Sequence, residues 1–161
     1  MKGPKSASDR HLHSRHVASA ARRARRLMPI DGDLDGLLDA LSHERGRRIH
    51  LLPQTFMGRP TSGLWLPTKA ADYLVIDDPT TPSRRAAIIC HEVAHILLGH
   101  SPDTTTSDLV AAAMPNLSPE LIARALARHA YATEDEADAE ELGTLIGAEH
   151  WSREINSSRL R

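Results

Sequence analysis

From the N-terminus, a polar start over residues 1 to 8 predicts a loose tail, and apolar residues then recur at helical spacing as far as Met28. Pro29 ends this first helix, because proline disfavours helical backbone in the residue before it. Leu34, Leu37, Leu38 and Leu41 line one face of a second helix, which Gly46 is placed to cap. The period then changes. RRIHLLP, SGLWLP and DYLVIDDP are short apolar stretches bounded by proline or glycine, and they predict three short strands with hairpin connections. TTPSRRAAIICHEVAHILLGH reads as a helix with Thr81 as N-cap, Pro82 at its first position and Gly99 at its exit. Apolar residues cover nearly every face of it, which predicts a central, buried helix. A polar loop follows, then a short helix over LVAAAMP, a helix over PELIARALARHAY capped by Ser118, and a last helix that opens near Thr133 and ends at Trp151. Residues 152 to 161 read as a polar tail. Helices at both ends of a minimal sheet give an α+β class, with one domain over residues 9 to 151.

Composition changes this picture little. With two Trp, two Tyr and one Phe in 161 residues, Leu, Ile, Val and Ala must fill the core. A formal net charge of −1 gives no whole-molecule reason to expect nucleic acid or a membrane surface as partner. The arginines of ASAARRARRLMP fit a solvated surface helix better than a transit peptide or a nucleic-acid contact. Cys90 is the single cysteine, so no intrachain disulfide can form. With no apolar run near the ~20 residues that span a bilayer, the chain is expected in the cytoplasm.

The chemistry concentrates in the apolar helix. His91 and His95 are four apart, so their rings project from one face one turn apart, where both can meet a single metal. Glu92 follows the first of them, completing the H-E-x-x-H pattern of zinc hydrolases: two ligands and a general base for the metal's water. Chance matches to five residues occur, and paired histidines often decorate exposed helices. Here they interrupt a run of Ile, Cys, Val, Ala and Leu, where burying them without a partner costs several kcal/mol, and a metal supplies that partner. Cys90 lies about 100° away round the helix and reads as a packed thiol.

A third ligand is required. His100 is set aside, because five residues beyond His95 is about 140° round a continuous helix. The metzincin spacing also fails, with Leu98 and Ser101 where it needs glycine and histidine. His100 reads instead as a cation facing the helix dipole. The acidic last helix offers Glu134 and Glu136. Glu136 shares a stripe with Ala139, Glu140 and Gly143, beside Leu142 and Ile146, which suits a face packed on the metal helix. Glu134 shares its stripe with Ala137, Asp138 and Glu141, which reads as solvent-facing. Glu136 is therefore the expected ligand, and Glu140 a candidate to hold a histidine ring. Tyr131 or His129 is a candidate donor to the oxyanion formed when water attacks a carbonyl, with packing or surface positions as the plainer reading. DYLVIDD is a candidate cleft edge for an extended substrate.

These blocks, ERGRRIHLLP, GLWLP, ADYLVIDD, HEVAHILLGH, AMPNLSPELIARALARHAY and EDEADAEELGTLI, resemble the ImmA/IrrE family of metallo-endopeptidases in its small actinobacterial form. The resemblance implies a compact zincin-like fold with a three-stranded sheet beside the metal helix. It places the third zinc ligand at Glu136, in an E-x-x-A-[N/D/E]-x-x-[A/G] helix with Ala139, Glu140 and Gly143. It also implies limited proteolysis of a helix-turn-helix repressor, relieving repression. A non-catalytic zinc-containing regulatory or toxin-like module is the rival reading, against which Glu92 stands intact.

Overall fold

The computed structural model describes residues 7–54, 62–68, 70–78, 80–100, 131 and 133–160. Their elements in chain order are α1 (Ala7–Leu27), α2 (Leu34–Arg45), β1 (Ile49–Gln54), β2 (Gly63–Pro67), β3 (Asp72–Asp77), α3 (Pro82–Leu98) and α4 (Thr133–Ser158). This is an α+β arrangement of helices around a small mixed sheet. The helices expected over LVAAAMP and PELIARALARHAY fall outside the described residues, except for Tyr131.

Local chemistry sets the helix ends. Asp33 accepts a hydrogen bond from the Gly36 amide at 2.8 Å to open α2, and Gly46 closes it in the left-handed conformation. Thr81 Oγ1 accepts from the Arg84 amide and Pro82 occupies the first turn of α3. Gly99 closes α3 at φ 70°, turning the chain so that the His100 amide donates back to the His95 carbonyl at 3.1 Å.

The sheet departs from three hairpin-linked strands. Its order is β1-β3-β2: β1 runs parallel to β3, with Ile49 opposite Asp72, and β2 runs antiparallel to β3, with Gly63 opposite Ile76. DYLVIDD is therefore the central strand, and the expectation that it forms a cleft edge is corrected. The cause lies in its side chains. Leu74, Val75 and Ile76 are all fully buried, and a strand apolar on both faces gains most from neighbours on both sides. The edge strand beside α3 is β2.

Asp72 opens β3 fully buried, paired with Arg45 at 2.8 Å and Arg47 at 3.3 Å, and so ties α2 and its exit to the sheet. The core runs from Val17, Ala20 and Ala24 of α1 through Leu37 and Leu41 of α2 to the buried body of α3. On the other side of α3 lies α4, through Ala139, Leu142 and Ile146. The last helix does not stop at Trp151. It runs to Ser158, held by Arg153, which donates to the carbonyls of Met28, Pro29 and Arg25 and so satisfies oxygens at the end of α1. Among the described residues no helix is long and apolar enough to cross a membrane.

Candidate metal centre

Within α3, a four-residue step places the rings of His91 and His95 on the face that meets α4, with their Nε2 atoms 3.1 Å apart. Glu136, in the first turn of α4, completes the group: its carboxylate oxygens lie 3.4 Å from His91 Nε2 and 3.8 Å from His95 Nε2. These three residues form a set whose ligand atoms all lie within 4.8 Å of one another, a group that can hold a metal ion.

The spacing can be tested against a metal. For ligands about 2.0 to 2.1 Å from a tetrahedral zinc, ligand atoms stand about 3.3 to 3.4 Å apart. The two Nε2 atoms stand 3.1 Å apart, and the two Glu136 oxygens lie 3.4 Å (Oε2) from His91 Nε2 and 3.8 Å (Oε1) from His95 Nε2, near that value. Two imidazoles and a carboxylate also match the three-ligand sets of catalytic zinc sites, which leave a fourth position for water. The residues present fit the ion.

Backbone proximity makes the convergence possible. A Cβ added to Gly143 would lie 3.1 Å from His91 Cα, so α4 crosses α3 at the level of the first histidine with no side chain between them. Glu136 sits two turns N-terminal to that crossing, on the stripe it shares with Ala139 and Gly143. The reading of that stripe holds, with Ala139 and Leu142 fully buried. The reading of the Glu134 stripe as solvent-facing is corrected in one place: Asp138 is buried. Glu140, one turn past Glu136, faces His91 Nδ1 at 3.5 Å from a largely exposed position.

Glu92 lies buried on α3, and burial pushes its carboxyl up to about 8, with repulsion from the Glu136 carboxylate adding to the shift and the Trp65 backbone N–H opposing it. That hydrogen bond comes from β2, whose first residue explains the approach. A Cβ on Gly63 would come 2.7 Å from Glu92 Oε1 and 2.5 Å from Ile88 Cγ2, so only glycine lets the strand lie against this glutamate. Sequence reasoning passed over Gly63, although a glycine opening a strand is a known mark of close backbone approach.

Tyr131 stacks on His95, with ring centroids 3.7 Å apart and planes within 12°. Burial first, and then the carboxylates of Glu92, Glu136 and Asp135, push its phenol above its ordinary value, so it keeps its proton. His129 lies outside the described residues. Cys90 is buried, and loss of water contact pushes its thiol up to about 12, as expected of a packed, unreactive cysteine.

His100 needs a correction. It is not one of the three grouped ligands, but neither is it a dipole-facing cation. Because Gly99 ends the helix, His100 leaves the helical path and its Nδ1 comes 2.9 Å from His95 Nδ1. Its Nε2 faces Asp135 Oδ1 at 3.7 Å. Burial lowers its proton affinity, opposed by nearby carboxylates that begin with Asp135, and the balance favours the neutral ring. His100 stays outside the ligand group as expected, but it approaches the far nitrogen of His95 because the helix ends at Gly99. A glycine immediately before His100 was the available signal. Comparison with protein-family models, with curated proteins and with solved structures finds no match to this chain, so the site stands on its own geometry.

Proposed function

We propose that this protein is a zinc-dependent endopeptidase of zincin-like architecture, in which His91, His95 and Glu136 hold the metal and Glu92 is the general base. One observation carries the reading: two imidazoles from α3 and a carboxylate from α4 converge at ligand spacing beside a buried glutamate. When bound, zinc would make a water molecule acidic enough to lose its proton near neutral pH. Glu92 would take that proton and return it to the leaving amine. Glu92 lies buried next to the ligand set, where a bound cation would favour the carboxylate form that can accept a proton. Tyr131, held protonated against His95, is the candidate donor to the carbonyl oxygen as negative charge develops there.

The substrate is proposed to be a protein of the helix-turn-helix repressor type, as the resemblance to ImmA/IrrE peptidases implies. An extended segment of it would lie along β2, the edge strand whose Trp65 backbone touches Glu92. The test mixes zinc-loaded protein with a helix-turn-helix repressor and follows the repressor by mass spectrometry. A single cut by the wild type, absent with Glu92→Gln, is the expected result. Equal cutting by both removes Glu92 from the mechanism, and stable binding with no cut by either makes the protein a non-catalytic module.

A further inference from the structure

We propose that His100 and Asp135 are positioning residues for the metal centre, a relay that fixes the tautomer and ring orientation of His95; this rests on the metal-site reading above. The inference begins with what a histidine ligand requires. For His95 Nε2 to direct its lone pair towards the space it shares with His91 and Glu136, its ring proton must sit on Nδ1. That N–H needs an acceptor, because the His95 side chain is almost wholly buried and water cannot serve.

The atom placed to accept is His100 Nδ1, at 2.9 Å. It can do so only as the lone-pair nitrogen of a neutral ring, which puts the His100 proton on Nε2. Nε2 is the atom that faces the Asp135 carboxylate, at 3.7 Å. The separation is too long for a strong hydrogen bond, but the negative charge favours the tautomer with its N–H on that side. A proton on each outward nitrogen in turn therefore gives a single consistent arrangement from Asp135 through His100 to His95. Tyr131, stacked on the His95 face, blocks rotation of the ring out of this line.

The two ligand histidines are supported unequally. His91 Nδ1 has Glu140 at 3.5 Å, but that side chain is 79% exposed and its pull is screened by water. His95 is held from a side chain only 9% exposed. The local sequence builds this. Gly99 in the left-handed conformation folds the chain back by one residue, and α4 brings Asp135 next to the ligand Glu136, so one helix turn supplies both the ligand and the end of the relay.

The test compares zinc affinity, by competition with a chromogenic chelator, and the visible absorption of the cobalt-substituted protein, for wild type and the variants His100→Leu, His100→Asn, Asp135→Asn and Glu140→Gln. Removing an outer partner of a ligand histidine typically weakens metal binding by about 10 to 100-fold. His100→Leu is expected to fall in that range and to shift the cobalt bands. His100→Asn places an amide oxygen near the lost Nδ1 and should recover most of the affinity, which loss of packing alone would not explain. Asp135→Asn should weaken binding less than His100→Leu but more than Glu140→Gln. Nitrogen NMR of the zinc-loaded wild type should show His95 protonated at Nδ1 and His100 at Nε2. Zinc affinity of the folded His100→Leu protein within twofold of wild type with unchanged cobalt bands, or a His100→Asn affinity no better than that of His100→Leu, overturns the relay while leaving the metal site standing. The opposite His100 tautomer does the same. A wild type that binds neither zinc nor cobalt overturns the metal site and the relay together.

Discussion

Gly143 of α4 presses on the backbone of His91: a Cβ there would meet His91 Cα at 3.1 Å and His91 N at 3.3 Å. The Gly143→Ala variant gains helix propensity of about 1 kcal/mol, yet α4 must yield by a few tenths of an ångström, so stability is expected to change little. A displacement of that size exceeds the roughly 0.2 Å tolerance of a metal site, so zinc affinity should drop before stability does. Gly143→Val should lose both, with a destabilisation of about 1 to 3 kcal/mol. Chelator competition beside urea unfolding reads the two effects separately, and unaltered zinc affinity in the valine variant would show that the crossing does not set ligand placement.

Glu136 and Glu134 are two residues apart and chemically identical, so they form a matched pair of probes. Glu136→Ala should abolish tight zinc binding, because it removes the carboxylate nearest both histidines. Glu134→Ala should bind zinc as the wild type does. Calorimetric titration of both variants decides between them, and a similar loss in each would contradict the assignment.

Burial gives the metal-free protein a pH dependence of stability through Glu92. Its carboxyl is raised from 4.5 to about 8 in the folded chain, so the folded state binds this proton more tightly than the unfolded state. Its contribution is therefore fully present below about 4.5 and is lost as pH rises towards about 8. Thermal unfolding in excess chelator should show the wild type losing stability across that window relative to Glu92→Gln. If the two melt in parallel from pH 5 to pH 8, the carboxyl is not desolvated as the structure has it.

Asp72 and its two arginines predict an asymmetry. Arg45 and Arg47 are 23% and 33% exposed and can turn to water when the aspartate is removed, whereas Asp72 is fully buried and cannot. Replacing both arginines with methionine should cost about 3 to 5 kcal/mol, the usual cost of stranding a buried charge. Asp72→Asn should cost less, and none of these changes should alter zinc affinity per folded molecule. Denaturant unfolding of both variants gives the order, and the reverse order would mean that the carboxylate finds another partner.

What could be read from the chain follows from the range of each interaction. The step from His91 to His95 is local, and helical geometry alone brings the rings together. Glu136 was also legible, because its stripe with Ala139 and Gly143 records which face of α4 is buried. His100 was not, since the single residue Gly99 converts a position on the far side of a helix into a neighbour of His95. The parallel pairing of β1 with β3 escaped for a related reason: strand partners distant along the chain leave no periodic mark, and three short strands suggest hairpins by default. The burial of Asp72 and Asp138, and the extension of α4 to Ser158, depend on side chains of other elements, and the polar character of those positions pointed the other way.

The split of the ligand set between two helices has a mechanical meaning. A zinc ion shared by His95 and Glu136 would join points about forty residues apart in the chain, and a bond across a loop of that length restricts the unfolded state much as a covalent cross-link does. The ion would then be a fastening as well as a reagent. Stripping it would remove that link, leaving α4 held on α3 by Ala139, Leu142 and Ile146 and at its far end by Arg153.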